Sequence, residues 1–227
     1  MQNSQKQTAK LFLLVMAFLL TACSTVRSVV PSIVPSPVRT IHGLDQDKQD
    51  WQAGNFHQIA DRNMACKTSD EGCSQRHLIK GDACFRVQGY ECAVTHLNLG
   101  IEQTAQWGEG LDLNRAQTYI NLLESLRAVQ DTKKGKEADA ITKQLFQTSE
   151  RFLAVELNHP AGVYFLNGAK FTLLRKEFLH PTDTSRLCRD VNGMINALQQ
   201  VGDTQYAANV KQLLSDITGA KRTVSGC

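Results

Sequence analysis

Proline is scarce and unevenly placed. Of the 5 prolines in 227 residues, Pro31, Pro35 and Pro37 cluster near the start, and only Pro160 and Pro181 follow. Aromatics make up 7% of the chain, and Gly, at 15 residues, is not enriched, which excludes an aromatic-rich β-barrel and a low-complexity chain. No apolar run is long enough to cross a bilayer as a stable helix; the longest, Leu11 to Leu20, stops well short. Charge of one sign is also missing, with 25 basic against 22 acidic residues, so nothing electrostatic favours a nucleic-acid partner. Catalytic signatures are absent too, with no HExxH, GxSxG or SxxK and no phosphate-cradling glycine loop. What is present is ordinary globular material, 42% apolar and 21% charged, rich in the Ala, Leu, Gln and Lys that favour helices.

The first 23 residues carry the sharpest signal. Lys6 and Lys10 precede the apolar run Leu11–Leu20, the charge-then-apolar order of an export leader. The leader ends in Leu20-Thr21-Ala22-Cys23, which resembles the bacterial lipobox. That resemblance implies a signal peptide over residues 1–22, a diacylglyceryl group on the Cys23 thiol, and cleavage just before it. An ordinary cleavable signal with a chance Cys is the alternative. Ser24, rather than Asp, after the Cys implies sorting to the outer membrane in a diderm bacterium. Each buried acyl methylene adds about 0.8 kcal/mol of membrane affinity, so three acyl chains anchor durably. Without Lys6 and Lys10 the mature chain has 23 basic and 22 acidic residues. Residues 23–45 then read as a lipidated Cys followed by a Pro-rich tether, because proline at this density forbids a helix and favours extended chain. Val29, Val30, Ile33 and Val34 leave open a short edge strand or docking segment there. Residues 46–227 form the folded domain.

Six cysteines remain after Cys23, namely Cys66, Cys73, Cys84, Cys92, Cys188 and Cys227, an even number in an exported chain. Oxidised pairs are expected in that compartment. Cys66 and Cys73 flank a polar turn, Cys84 and Cys92 flank Gln88-Gly89, and Cys188 is left to pin the terminal Cys227. A competing reading uses Cys73 and His77, four apart on one helical face, as metal ligands.

From residue 46 onward the apolar spacing is helical. Ala116, Ile120, Leu123 and Leu126 recur at steps of three to four, as do Ala138, Ile141, Leu145, Phe152 and Val155. Cys188, Val191, Ile195, Leu198 and Val201 repeat the pattern, and so do Tyr206, Val210, Leu213 and Ile217. Breaks at 108–112, 131–135, His159-Pro160, His180-Pro181 and Gly202-Asp203 make short connections, so neighbouring helices are expected to pack antiparallel.

An internal repeat organises these helices. Gly54-Asn55-Phe56, Ile59 and Cys66 align with Gln88-Gly89-Tyr90, Ala93 and Gly100 at an offset of 34. Gly81, Cys84, Tyr90, Ala93, Leu97 and Gly100 resemble the small and aromatic positions of a tetratricopeptide repeat, where small residues let two helices approach closely. Tyr164, Gly168 and Phe171 resemble its first helix, and Gly202-Asp203 with Ala207 its turn and second helix. Residues 106–158 depart from the period. The Cys66 to Cys73 stretch also resembles the cysteine-rich variant of Sel1-like repeats. The expected fold is all-α: antiparallel helical hairpins in a tetratricopeptide-like superhelix with disulfides. Simple hairpin packing is the alternative.

Two Glu-x-x-His steps, Glu156 to His159 and Glu177 to His180, match the di-iron bundle motif. Each His precedes a Pro, however, which places it at a helix end. Lys133-Lys134-Gly135-Lys136 reads as a solvated turn. Trp51 and Trp107 read as core or groove aromatics, and His42, His57 and His96 stand alone. Two functions follow. The first is a lipid-anchored periplasmic scaffold with no cofactor and no catalytic residue, binding another envelope protein. It is similar in architecture to the repeat lipoproteins that act as pilotins for pilus and secretion channels or as subunits of outer-membrane assembly machines. In a tetratricopeptide-like hairpin the first helix lines the concave side, so Arg76, Lys80, Arg86, Lys170 and Arg175 are the expected exposed partner contacts. The second is a cell-wall-acting enzyme or a metal-binding helical bundle in the periplasm.

Overall fold

The computed structural model describes residues 43–67, 70, 72–103, 113–202 and 204–227. Cys23, His42, Trp107 and the expected break at 108–112 lie outside the described residues. Among those described, every regular element is a helix: α1 Leu44–Gln52, α2 Phe56–Asp61, α3 Cys73–Arg86, α4 Tyr90–Gln103, α5 Arg115–Thr132, α6 Lys136–Val155, α7 Pro160–Leu179, α8 Thr184–Gln199 and α9 Ala207–Thr223.

Helix ends follow local chemistry. The Asn114 side chain accepts from the Gln117 N–H at 2.7 Å to start α5, and Asp183 accepts from the Arg186 N–H at 2.9 Å to start α8. Pro160 occupies the first turn of α7, where its missing N–H costs nothing, and Pro181 follows the His180 that ends the same helix. The two late prolines therefore bracket a 20-residue helix and interrupt none.

Each helix from α3 onward packs antiparallel to the next, as side-chain contacts establish. Gly81 meets Leu97 while Leu78 meets Gly100 between α3 and α4. Lys133, just beyond α5, reaches Glu91 at the start of α4. Gln130 donates to Thr142, and Tyr119 stacks on Phe152, between α5 and α6. Gly162 meets Leu153 between α6 and α7, Lys170 meets Asp190 between α7 and α8, and Lys221 meets Asn192 between α8 and α9. The odd-numbered helices also touch in series, α1 with α3, α3 with α5, α5 with α7 and α7 with α9. The array thus has two layers, and the odd helices make one continuous layer.

The offset of 34 is visible atom by atom in the first two hairpins. Asn55 N–H donates to the Asp50 carbonyl at 2.8 Å, and Gly89 N–H donates to the Cys84 carbonyl at 2.8 Å. Gly54 (φ 79°) and Gln88 (φ 60°) take the left-handed conformation of the turn. Trp51 meets Phe56 edge-on at 6.5 Å, and Phe85 meets Tyr90 edge-on at 6.4 Å. The α5 and α6 helices, of 18 and 20 residues, are too long for a 34-residue unit.

Close approach is concentrated at α3 and α4. A Cβ on Gly81 would lie 2.6 Å from Leu97 Cγ and 2.8 Å from its backbone N, and one on Gly100 would lie 2.5 Å from Leu78 Cδ2. The expectation for Gly168 is corrected. A Cβ there would meet only Leu213 Cδ2, at 3.7 Å, whereas Gly162 is the glycine of α7 pressed against its neighbour, 2.7 Å from Leu153 Cδ2.

Three disulfides join Cys66 to Cys73, Cys84 to Cys92 and Cys188 to Cys227. The second ties α3 to α4 across their turn and the third holds the C-terminus against α8. The first closes the loop between α2 and α3, with Cys73 as the first residue of α3.

Candidate functional site

A groove of about 960 Å³ opens on the odd-numbered layer, walled by α7 and α9 with Arg127 of α5 at its edge. Along α7 it runs from Tyr164 to Arg175 and along α9 from Ala208 to Ala220. At 1.5 Å per residue each wall is about 17 Å long. Two of its lining side chains, Tyr164 and Phe171, are aromatic, and each rests on rings buried behind the groove. Tyr164 stacks on Tyr206 at 5.4 Å and meets Phe165 edge-on at 5.0 Å, and Phe171 meets Phe178 at 5.5 Å. Tyr206 is held from below, its hydroxyl donating to Glu124 Oε1 at 2.8 Å. Burial, then this bond to Glu124, pushes the Tyr206 phenol well above its ordinary range, so it stays a neutral donor. Small residues keep the trough open: a Cβ on Gly219 would meet nothing within 4 Å.

Charge on the rim is sparse and uneven. Arg127 pairs with Asp131 at 3.4 Å in a solvent-exposed contact, and exposed Arg175 has no partner among the described residues. On the opposite wall, Asp216 Oδ1 accepts from Gln212 Nε2 at 2.8 Å.

Of the five cations expected at an exposed surface, only Arg175 lines this groove. Arg76 and Lys80 are corrected: they are 4% and 8% exposed, and both are used inside the protein. Arg76 Nε donates to Asp47 Oδ2 at 2.6 Å, and Lys80 Nζ donates to the Arg62 carbonyl. Arg86 is exposed, donates to Asp82 Oδ2 at 2.7 Å, and lies over the rings of Phe56 (4.7 Å) and Trp51 (5.5 Å). Lys170 points to Asp190 of α8, at 3.3 Å, away from the groove.

Arg76, Lys80 and Arg86 belong to a polar network that clamps α1, α3 and α5. Arg62 bridges Asp47 and Asp50, holding the Asp50 carboxyl below the usual range with help from Gln46. Asp82, 2% exposed, accepts from Trp51 Nε1 at 2.7 Å, Arg86 Nε at 2.7 Å and Asn121 Nδ2 at 2.9 Å. Three donors satisfy one buried carboxylate, which is how a charge can sit in the core. Arg62 and Asp47 were not singled out in the sequence. The only signal there was a pair of acids, Asp47 and Asp50, three apart on one helix face.

No protein-family model, curated protein or solved structure matches this chain.

Histidines and cysteines gather at one other place. His77 of α3 and His96 of α4 stack at 5.0 Å with their Nδ1 atoms 2.8 Å apart, so one ring donates and the other accepts. Burial lowers both, with the Arg76 and Lys80 charges adding to the effect on His77; His96 falls to about 4. The ligand atoms of Cys66, Cys73 and His77 lie within 4.8 Å of one another. Both sulfurs, however, are spent in the Cys66–Cys73 bridge, so the pair expected from Cys73 and His77 offers one free ligand.

The two Glu-x-x-His steps do not converge. His159 caps the start of α7, accepting from the Ala161 N–H at 3.2 Å and packing on Phe152 at 4.8 Å, while His180 caps its end. A helix of this length separates them by about 30 Å. Glu177 is engaged by Arg186 at 2.5 Å. A second, polar hollow of about 530 Å³ lies between α4 and α6 beside Glu102 and Arg151.

Proposed function

We propose that this protein is a lipid-anchored periplasmic scaffold, held at the outer membrane by acylated Cys23, that grips another envelope protein in the α7/α9 groove and so helps assemble, localise or stabilise an envelope machine such as a secretion system, a type IV pilus or the outer-membrane assembly apparatus. The observation that carries the reading is the groove. It is open, about 17 Å long on each wall, lined by the aromatic Tyr164 and Phe171 and by small residues, and it lies on the layer where the odd helices run side by side. Stacked hairpins of the tetratricopeptide or Sel1 type present their partner surfaces in this way, and the 34-residue geometry of the first two hairpins supports placing the chain beside them.

In the test, a photo-reactive phenylalanine analogue replaces exposed Gln212 on the groove wall of the full-length chain, and living cells are irradiated. The expected result is a discrete adduct with one envelope protein, lost in Cys23→Ala, which should remain uncleaved or be released into the periplasm. A groove that gives no adduct removes the scaffold reading. A Cys23→Ala variant still processed and found in the outer membrane removes the anchor.

A further inference from the structure

We infer that the α7/α9 groove takes a single amphipathic helix of about three turns, laid lengthwise, whose apolar ridge is edged with carboxylates on the side facing Arg127 and Arg175. The inference rests on the scaffold reading above and adds the chemistry of the bound segment.

Its shape follows from the walls. Tyr164 stacks on Tyr206 at one end and Gly168 sits nearest Leu213 further along, so α7 and α9 run parallel. On their far side α8 lies antiparallel to both, joined through Lys170–Asp190 and Lys221–Asn192. The open side is the mirror position, a trough between two parallel helices that one more antiparallel helix would fill. Walls about 17 Å long accommodate about eleven residues of helix. An extended segment suits the trough poorly. Helical walls offer no free backbone edge, so a strand would bring unpaired N–H and C=O groups against Phe171 and Leu213, whereas a helix satisfies its own. Gly168, Ala208, Gly219 and Ala220 let the guest backbone settle close to the walls.

Its charge follows from the rim. The α5/α7 side carries two guanidinium groups, Arg127 in a weak solvent-exposed pair and Arg175 with no partner among the described residues. The α9 side carries one carboxylate, Asp216, already bonded to Gln212. Carboxylates on one edge of the guest would face the two arginines. In an antiparallel guest its first turn, where acidic residues are favourable, would lie at the Arg175 end.

The test uses detergent-solubilised full-length protein and three fluorescein-labelled probes: a stapled helix with a Leu ridge edged by Glu, the same helix edged by Lys, and a Pro-rich extended peptide with the same number of Leu residues. Fluorescence anisotropy at low salt should show the Glu-edged helix binding about tenfold more tightly than the Lys-edged one, and the Pro-rich peptide weakest. Arg127→Glu with Arg175→Glu should reverse the order of the two helices. Gly219→Trp, placed where a Cβ meets nothing, should abolish binding of both helices without lowering the melting temperature. Equal binding of the two helices, or failure of the arginine reversal to invert them, overturns the charge assignment. Preference for the Pro-rich peptide overturns the helix. Sedimentation showing that Gly219→Trp disrupts a dimer instead assigns the groove to a second copy of this chain and also overturns the proposal. These outcomes are separable from failure of the scaffold reading, because the photo-adduct at Gln212 depends on neither helicity nor charge.

Discussion

Replacing Gly81 by Ala and, separately, Gly193 by Ala should move stability in opposite directions, although both glycines are interior to helices. In an exposed helix interior Gly→Ala stabilises by about 1 kcal/mol, because Gly loses the most backbone freedom on folding. Gly193 of α8 is exposed and a Cβ there meets nothing within 4 Å, so the full benefit is expected. At Gly81 the same Cβ would fall 2.6 Å from two carbons of Leu97 and 2.8 Å from the Leu97 backbone N. Leu97 is 1% exposed and cannot swing out, and the backbone of α4 moves only if the whole hairpin opens. Overpacking costs about 1–3 kcal/mol, and a clash with backbone as well as side chain puts this site in the upper half of that range, about 2–3 kcal/mol, so that after the propensity gain of about 1 kcal/mol a net loss of about 1–2 kcal/mol is left. For a domain of this size each kcal/mol shifts the midpoint by about 2–4 °C. Thermal unfolding followed by circular dichroism, with disulfides intact, should therefore place Gly193→Ala a few degrees above the natural protein and Gly81→Ala a few degrees below it. If both variants rise together, α3 and α4 are not in contact at Gly81, and the packing argument is wrong.

Acid should weaken the fold through the histidine pair. His77 and His96 have lowered pKa values in the folded state, so below about pH 6.5 the unfolded chain binds protons that the native one refuses, and stability falls until the pH reaches about 4 for His96. Discounted for partial exposure, the loss from His96 is about 2 kcal/mol, and urea midpoints for His96→Gln should show a flatter slope over pH 6.5 to 4. Asp82→Ala should cost about 3 kcal/mol by stranding Trp51, Arg86 and Asn121, and denaturant titration should separate it from Glu91→Ala, which breaks only an exposed pair with Lys133 and should leave the midpoint in place. Removing the Cys188–Cys227 bridge, which spans 39 residues, should cost about 4 kcal/mol on chain-entropy grounds, against about 2.5 kcal/mol for Cys84–Cys92, which spans 8; equal losses in paired Cys→Ser variants would contradict that ordering.

The helices were legible because large apolar residues report their own period. Ile120, Leu123 and Leu126 are buried along α5, Leu145 and Phe152 along α6, Val191 and Leu198 along α8, and Val210 and Ile217 along α9, as their spacing required. The reading weakens where the stripe meets a helix end: Val155, last in the α6 series, is 44% exposed because the helix stops there. The cysteine pairs were legible for a related reason. Two of the three bridges span only 7 and 8 residues, so sequence proximity nearly decides them, and the third joins the two cysteines that remain. Buried charge was not legible. A polar residue on an amphipathic helix is read as surface, and what put Arg76, Lys80 and Asp82 inside is pairing with Asp47, Arg62, Trp51 and Asn121, up to 39 positions away.

The groove was half legible, and the missing half follows from how a cavity is made. The α7 wall contains Tyr164, Phe171 and Arg175, residues with enough character to be noticed. The α9 wall borrows Leu213 from the edge of the apolar stripe and is otherwise written in small and polar residues, Ala208, Gln212, Ser215, Asp216 and Gly219, and such a face ordinarily means solvent. What turns it into a wall is distance. The Cys188–Cys227 bridge and the Lys221–Asn192 bond hold α9 against α8, while Tyr206, fastened to Glu124 of α5, fixes where α9 begins. With the start of α9 tied to α5 and its end tied to α8, the helix is fixed where it meets α7 at Tyr206 and Leu213, and the glycines at 168 and 219 leave the gap beside that contact unfilled. The trough is thus set by three attachments distant in sequence, none of which lies in the groove itself.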